Sequence, residues 1–150
     1  MKRILCLVLS LVLVFSFSAT AFADEPETLA EDNTMLNFCV DVTKSDSYYD
    51  AVLWAYLNGI TDGTDDLHFS PNLAVTRGQA VTFLWRAAGQ PEPAKLSSFS
   101  DVGADAYYAK AVAWAVENGI TDGVGSGKFA PSKTCTRAET VTFLYRLMVK

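Results

Sequence analysis

The sequence predicts an all-α protein built from two tandem helix-loop-helix units with long irregular loops. Sliding the chain along itself by 60 residues aligns residues 41–86 with 101–146 without a gap, and 22 of these 46 positions are identical. Within each copy, apolar residues recur at the three- and four-residue intervals of a helix face. The apolar and polar alternation of a strand never extends beyond about four residues. Such a period indicates one structural unit used twice, with each copy burying its apolar face partly against the other.

The first 23 residues have the organisation of a secretory signal peptide. Lys2 and Arg3 precede an apolar run over residues 4–17, and the small-x-small sequence at 21–23 is typical of a cleavage site. The alternative is an uncleaved membrane anchor, but the run is shorter than the roughly 20 residues that a spanning helix needs. We therefore expect an exported protein with no transmembrane segment after cleavage.

The composition indicates an acidic, folded product. Half of the residues are hydrophobic, which is enough to form a core, and the net charge of the whole chain is -5. Removal of residues 1–23 leaves 10 basic residues against 17 acidic ones. This balance disfavours nucleic acid as a partner, because binding to a phosphate backbone needs an excess of Lys and Arg. Residues 24–37 form an acidic leader that is too short to be a third unit.

The first helix of each unit is predicted from an apolar stripe that ends in an Asn-Gly pair. The first unit spans residues 38–88, the second spans 98–150, and the proline-broken linker 89–97 joins them. The Asn-Gly pairs at 58–59 and 118–119 predict a left-handed cap at the helix end. The stripe consists of Tyr48, Ala51, Val52 and Ala55 in the first unit, and of Tyr108, Ala111, Val112 and Ala115 in the second.

The second helix of each unit is predicted from a capping box. Thr76 is followed three residues later by Gln79, and Thr136 by Glu139, so each pair of side chains can satisfy free amides at the helix start. The predicted buried stripe of this helix consists of Ala80, Phe83, Leu84 and Ala87 in the first unit, and of Val141, Leu144 and Met148, widened by Phe143 and Leu147, in the second.

Several short blocks, present in the same order in both units, resemble the S-layer homology (SLH) repeat. Residues 39–88 match as a first copy with two departures: Cys39 stands where Phe99 stands, and Gly78-Gln79 replaces Ala138-Glu139. The blocks of the second unit are Phe99-Ser100-Asp101-Val102, Tyr107-Tyr108, residues 111–115 (AVAWA), residues 118–123 (NGITDG), Phe129-Ala130-Pro131 and Thr136-Arg137-Ala138-Glu139.

This resemblance implies non-catalytic anchoring of an exported protein to the bacterial cell wall or S-layer surface. The implied partner is an acidic secondary cell-wall polysaccharide, which in this family often carries pyruvate ketals. Members usually have three repeats in a pseudo-symmetric helical bundle, with the sugar in grooves between repeats. This chain has two repeats. An alternative function is therefore a secreted interaction or assembly module that dimerises through an uncovered apolar face.

Arg77 and Arg137 are candidate anion ligands, because each lies in the first turn of its helix. A cation there opposes the positive end of the helix dipole, which costs up to about 1 kcal/mol unless an anion offsets it. An arginine beside free helix-start amides is suited to bind a carboxylate or a phosphate. The alternative partners, in salt bridges, are Asp41 or Asp62 for Arg77, and Glu139, Asp101 or Asp122 for Arg137.

The predicted glycan site also includes tryptophans, turn residues and the third residues of the capping boxes. Trp54 and Trp114 could floor a sugar groove, since an indole packs well against an apolar sugar face, or they could simply belong to the core. The Thr-Asp-Gly turns could line the groove and present glycine amides, or could serve the turn alone. The remaining members of the predicted site are Asp62, Gly63, Asp122, Gly123, Gln79 and Glu139.

The cysteines and acidic residues suggest neither catalysis nor a bound cofactor. Cys39 and Cys135 remain after signal cleavage and could form a disulfide, or could be two small buried thiols. His68 is the only histidine, so a catalytic triad or a histidine metal centre lacks parts. The aspartates at 62, 65 and 66 do not have the spacing of a calcium loop. We therefore predict no catalytic residue, no metal and no cofactor.

Overall fold

A computed structural model describes residues 39–149, which form four helices and no strand. Helix α1 spans Tyr49–Leu57, α2 spans Arg77–Ala87, α3 spans Ala109–Glu117 and α4 spans Arg137–Met148. The predicted all-α class is confirmed. The predicted signal peptide and acidic leader lie outside the described residues. Within the described range no helix has the length and hydropathy needed to cross a bilayer.

The helix ends are formed by the residues that the sequence predicts. Thr76 Oγ1 accepts from the backbone N–H of Gln79, and Gln79 Oε1 accepts from the backbone N–H of Thr76 at 2.9 Å. Thr136 and Glu139 form the same capping box at the start of α4. Helices α1 and α3 end in glycines of positive φ, at residues 59 and 119. These local signals act within one turn of backbone, so they do not depend on the rest of the fold.

The predicted buried stripe is wrong for α4 and incomplete for α2. In α4, Val141 is 64% exposed and Met148 is 77% exposed, and Phe143 is its buried residue. In α2 the buried face is wider than predicted and includes Val81, whereas Ala87 is exposed. The cause is the number of neighbours, since α2 packs extensively against α3 and more lightly against α4, whereas α4 packs against α2 alone among the described helices.

The main core lies where α2 of the first repeat meets α3 of the second. Gly78, near the start of α2, permits the close approach of the second repeat: a Cβ there would lie 3.2 Å from both the Pro131 carbonyl oxygen and Tyr108 Cδ1. The contact therefore joins the two repeats through apolar packing. The buried members of this core are Ala80, Val81, Trp85, Ala111, Val112, Trp114, Ala115, Ile120, Phe129 and Phe143.

Helix α1 has a small core of its own and packs against no other helix of the described chain. Val52 of α1 is buried with Cys39 and Val42 from the segment before the helix, and Phe69 from the following loop packs against them. The opposite face is open, with Trp54 58% exposed. The equivalent helix α3 is buried by α2, so the two first helices differ in environment although their sequences correspond.

The linker between the repeats is held to both of its neighbours. Trp85 Nε1 of α2 donates to the Pro91 carbonyl at 2.9 Å. The Glu117 carboxylate at the end of α3 accepts from the backbone N–H groups of Ala94 and Lys95, both at 3.2 Å. These bonds fix a short connector along the surface of the α2–α3 contact.

A half-buried aspartate holds the long loop of each repeat in place. Asp101 accepts from the backbone N–H groups of Phe129 and Ala130, both at 2.8 Å, and Asp41 makes the equivalent pair with Phe69 and Ser70. Ala130 has a φ of 58°, which a residue with a side chain rarely adopts. The two carboxylate bonds thus fix a strained turn in the loop that precedes the second helix.

Candidate functional site

Arg77 crosses from the first repeat into the second. Its side chain is 3% exposed, and its guanidinium lies 4.9 Å from the centroid of the Phe129 ring and 5.3 Å from that of Phe143. Nε donates to the Phe129 carbonyl at 3.0 Å, and Nη1 donates to Glu139 Oε1 at 2.9 Å. Nη2 is closed from solvent and has no hydrogen-bond partner. The predicted alternatives Asp41 and Asp62 are therefore not its partners.

The helix-start amides beside Arg77 are occupied, contrary to the prediction of free donors. The backbone N–H of Arg77 donates to the Lys133 carbonyl, and that of Gly78 donates to the Pro131 carbonyl, both at 2.9 Å. The second repeat thus caps α2 with its own backbone. An anion at this helix would have to bind through the guanidinium and not through the amides.

A groove of about 390 Å³ lies at this junction, and we call it the junction groove. Arg77 comes from the first repeat, and the other lining residues come from the second. Four predicted site residues therefore meet here, together with Arg146, which the sequence analysis did not include. The lining consists of Arg77, Thr121, Asp122, Gly123, Val124, Ala138, Glu139, Thr142, Phe143 and Arg146.

Glu139 is the carboxylate of the groove, and its charged form is strongly favoured. The pKa of Glu139 is lowered to about 2, first by the backbone N–H of Thr136, with further contributions from Lys133 and Arg77, against the opposing effect of burial. Lys133 Nζ lies 3.2 Å from Glu139 Oε1. Glu139 therefore closes the helix start and neutralises a nearly buried arginine at the same time.

The Thr-Asp-Gly turns are joined to the second helix of their own repeat. Arg146 Nη1 lies 3.5 Å from Asp122 Oδ2, whereas the equivalent Arg86 Nη1 lies 2.7 Å from Asp62 Oδ2. The Gly123 amide donates to Thr121 Oγ1 at 3.1 Å, so it does not face a ligand as a free donor. Gly123 has a φ of 86°, and a Cβ on it would lie 2.5 Å from the Lys128 carbonyl. The glycine is thus required by the turn.

Arg137, the counterpart of Arg77, has a different environment. It is exposed, and within residues 39–149 it makes no ion pair with any of the three predicted acids. The backbone N–H groups of Arg137 and Ala138 also lack partners in this range. The predicted combination of an arginine and free helix-start amides therefore occurs at α4 and not at α2.

The first repeat carries the counterpart of the junction groove without the arginine. This smaller cavity of about 80 Å³, which we call the first-repeat socket, includes Gln79 and Gly63. No arginine of the described residues lines it, because no described repeat precedes this one. Of the predicted site residues, four thus line the junction groove and two line the socket, whereas Asp62, Arg137 and the two tryptophans line neither. The socket is lined by Thr61, Gly63, Thr64, Phe69, Ser70, Pro71, Leu73, Ala74, Val75, Gln79 and Phe83.

The two predicted tryptophans lie in neither cavity. Trp114 is 6% exposed and belongs to the main core, whereas Trp54 is 58% exposed on the open face of α1. Neither indole lines the junction groove or the first-repeat socket. The structure thus places Trp114 in the alternative role of core packing.

Comparison with known proteins gives the family of these two units. The S-layer homology domain matches residues 40–81 and 98–141, which together cover more than half of the chain. The chain belongs to the S-layer homology family. Its helix-loop-helix units are two SLH repeats, and the resemblance found in the sequence is confirmed.

The relatives are surface proteins and enzymes of much greater length. The chain is 30% identical over 154 residues to a cell surface protein of Thermoanaerobacter kivui, covering 99% of this chain and 19% of the relative. It is 38% identical over 86 residues to a surface-layer 125 kDa protein of Lysinibacillus sphaericus, covering 57% of this chain and 7% of the relative. It is 34% identical over 116 residues to exoglucanase XynX of Acetivibrio thermocellus, covering 73% of this chain and 11% of the relative. The chain thus spans less than a fifth of these relatives.

The family gives the general role of the chain. SLH repeats are non-catalytic modules that anchor proteins to the cell envelope, so the chain is a cell-surface protein.

The cysteines do not pair, and no metal site is formed in the part of the chain that the structure describes. Cys39 is a buried free thiol in the small core of α1. Cys135 is a half-buried free thiol that packs against the main core. The disulfide considered from the sequence is therefore absent. Between residues 39 and 149, no group of three His, Cys, Asp or Glu side chains could hold a metal ion.

Sequence reasoning missed three residues of this junction: Arg146 and the two phenylalanines around Arg77. The position of Arg146 near the helix end has a sufficient explanation in the helix dipole, so nothing in the local pattern marked it as a groove residue. One signal was present in the sequence next to Arg77. Gly78 in the first turn of α2, where the second repeat has Ala138, indicates a close approach of another backbone.

Proposed function

We propose that the junction groove of this SLH protein binds an acidic secondary cell-wall polysaccharide, and that the chain has no catalytic activity of its own. One observation carries the proposal: Arg77 and Arg146, from different repeats, line a single groove. Its volume of about 390 Å³ lies in the range of small-ligand sites. Two guanidinium groups at one groove favour a ligand that carries a carboxylate or phosphate.

The groove is lined by two arginines and two carboxylates, and the loose pairing of Arg146 supports an anionic ligand. Arg146 is 40% exposed and is 3.5 Å from Asp122, so its side chain is only loosely neutralised. Its counterpart Arg86 is 24% exposed and makes a closer ion pair of 2.7 Å. Arg77 has a buried Nη2 without a partner, and an unsatisfied buried donor costs free energy that a ligand oxygen would recover.

The order of contacts follows from accessibility. An entering carboxylate, such as that of a pyruvate ketal, meets the exposed Arg146 first. Arg77 is closed from solvent and is already bonded to Glu139, so a ligand reaches it by taking the place of Glu139 on Nη1. The ligand carboxylate and Glu139 therefore compete for one guanidinium, and Lys133 at 3.2 Å from Glu139 can hold the displaced side chain.

Arg137 offers a second, more open place for the same polymer. Its exposed guanidinium and the unpartnered N–H groups of Arg137 and Ala138 lie together at the start of α4. An anion there would bind the amides and offset the unfavourable position of the arginine in the helix dipole. A polysaccharide with repeated acidic groups could occupy both places.

The test is retention on purified cell-wall sacculi. We expect the protein to sediment with sacculi, and to lose this property after the non-peptidoglycan polymers have been extracted. Arg146→Ala should weaken retention by roughly tenfold, because one charged hydrogen-bond partner is lost. Arg86→Ala is the matched control: it removes the equivalent arginine of the first repeat, which lies outside the junction groove.

Three results would contradict this proposal. Retention on extracted sacculi would show that the polymer is not the ligand. Equal losses for Arg146→Ala and Arg86→Ala would show that the junction groove is not the site. Unchanged retention in a variant with both Arg137→Ala and Arg146→Ala would remove the role of the exposed arginines altogether.

A further inference from the structure

Helix α4 carries an uncovered copy of the surface that α2 uses to bind the second repeat. Val81 of α2 is 0% exposed, and its counterpart Val141 is 64% exposed. Trp85 of α2 is 9% exposed, and its counterpart Tyr145 is 62% exposed. Helix α4 thus has the same face as α2, but no described helix covers it as α3 covers α2.

Helix α1 carries an uncovered copy of the surface that α3 presents to α2. Trp114 of α3 is 6% exposed and Ala111 is 0% exposed. Their counterparts in α1 are Trp54, which is 58% exposed, and Ala51, which is also exposed. The described chain therefore has two open apolar faces, and these are the two halves of the contact that it makes internally.

The backbone polar groups beside these two uncovered faces also lack partners, and they complement each other as donors and acceptors. In the internal contact, the N–H groups of Arg77 and Gly78 donate to the carbonyls of Lys133 and Pro131. At the start of α4, the N–H groups of Arg137 and Ala138 have no partner among residues 39–149. The carbonyls of Leu73 and Pro71 stand 60 residues before the internal acceptors, and they too accept no hydrogen bond in this range. Donors are thus open in the second repeat and the corresponding acceptors in the first.

We propose that α4 of one copy binds α1 and the first-repeat socket of a second copy, in the arrangement by which α2 binds α3. Arg137 would enter the socket, where the Phe69 carbonyl takes the place of the Phe129 carbonyl that accepts from Arg77. The contact is head-to-tail, since it joins different surfaces of the two copies. It adds a second groove of the junction type at each interface, and an Arg137 that is engaged in this contact no longer binds an anion.

Two substitutions make the contact between copies weaker than the internal one. Ala138 stands where α2 has Gly78, and a Cβ at Gly78 would lie 3.2 Å from Pro131 O and Tyr108 Cδ1, so the equivalent neighbours must shift by a few tenths of an ångström. Gln79 stands where the second repeat has Glu139, so Arg137 would meet a neutral amide oxygen. We therefore expect association that depends on concentration.

The first experiment is sedimentation velocity of the purified protein from about 1 µM to about 1 mM. We expect species larger than a monomer to accumulate as concentration rises. Val141→Glu on α4 and Trp54→Glu on α1 should each weaken association by roughly tenfold or more, because each places a charge in the contact. Both residues are exposed, so the variants should remain folded by circular dichroism. Leu96→Glu, at a 45% exposed linker residue, is the control and should associate normally.

Mixing the two variants tests the head-to-tail geometry. The Val141→Glu variant keeps an intact α1 face, and the Trp54→Glu variant keeps an intact α4 face. An equimolar mixture should therefore form a dimer that neither variant forms alone, and should stop at that size. Association of either variant alone at the level of the unaltered protein would overturn the proposal, because it would indicate contact between like faces.

A gain of affinity tests the role of Arg137. Gln79→Glu gives the socket the carboxylate that Arg77 has in Glu139, so it should strengthen association by roughly tenfold. The gain should disappear in the presence of Arg137→Ala. An unaltered protein that stays monomeric to about 1 mM would refute the proposal.

Discussion

The two SLH repeats correspond residue by residue, yet equivalent side chains have opposite environments. Arg77 is 3% exposed and bonded across the junction, while Arg137 is exposed. Trp114 is buried in the main core, while Trp54 is 58% exposed. The two members of each pair lie 60 residues apart at equivalent positions of the repeat. The burial of a repeat residue is thus decided by the neighbouring repeat and not by the repeat that contains it.

The tryptophans should give the largest difference between the repeats. We expect Trp114→Ala to lower the free energy of unfolding by about 3–5 kcal/mol, since it leaves a cavity in the core, and Trp54→Ala to lower it by less than about 1 kcal/mol. Urea denaturation at a concentration where the protein is monomeric measures both. Similar losses for the two variants would show that α1 is covered in solution.

The second largest difference in stability loss should be the one between the two arginines. Arg77→Ala removes two hydrogen bonds and leaves Glu139 without its buried partner, so we expect a loss of about 3 kcal/mol. Arg137→Ala should change stability by no more than about 0.5 kcal/mol, because the side chain is exposed and unpaired among the described residues. The same denaturation experiment applies. A large loss for Arg137→Ala would place its guanidinium in a contact that the described residues do not form.

The loop aspartates should not differ, which makes them an internal standard for the comparison. Asp41→Asn and Asp101→Asn each disturb two backbone hydrogen bonds within one repeat. We expect both variants to lower the Tm by a similar amount of a few degrees, measured by calorimetry. A much larger effect of Asp101→Asn would mean that the second repeat, and not each repeat separately, holds its loop.

Acid should weaken the junction by protonating Glu139. Near neutral pH this is the smallest of the expected effects on stability, because Glu139 stays ionised there. Its folded pKa of about 2 lies below the ordinary value of 4.5, so its contribution to stability is complete above about pH 5 and declines as the pH falls toward 2. The difference in stability between the protein and its Glu139→Gln variant should therefore narrow from about pH 5 to about pH 3. A difference that stays constant would show that the carboxylate titrates normally.

The helices and their ends could be predicted because their signals are local. Each capping box involves residues three positions apart, and each Asn-Gly cap ends the helix that contains it. The aspartates that hold the loops act over 28 or 29 residues, but still within one repeat. All of these features recur in both repeats, since nothing outside a repeat is needed to form them.

The candidate site could be predicted only in part, because its contacts cross from one repeat to the other. Arg77 and Glu139 are 62 residues apart, and no local pattern pairs them. The prediction of the buried stripe of α4 was wrong for the same reason. An apolar face in the sequence shows that burial is favourable, not that a partner is present. The difference between Gly78 and Ala138 was the one visible sign that the two second helices have different neighbours.

The short linker gives the internal contact an advantage that no contact between molecules shares. A connector of this length, tied through Trp85 and Glu117, keeps the two surfaces at an effective concentration on the order of millimolar or higher. Free copies in dilute solution fall far short of that value. Molecules crowded in two dimensions on a cell wall would come closer to it, so the density of occupied wall sites would set how far one copy joins the next.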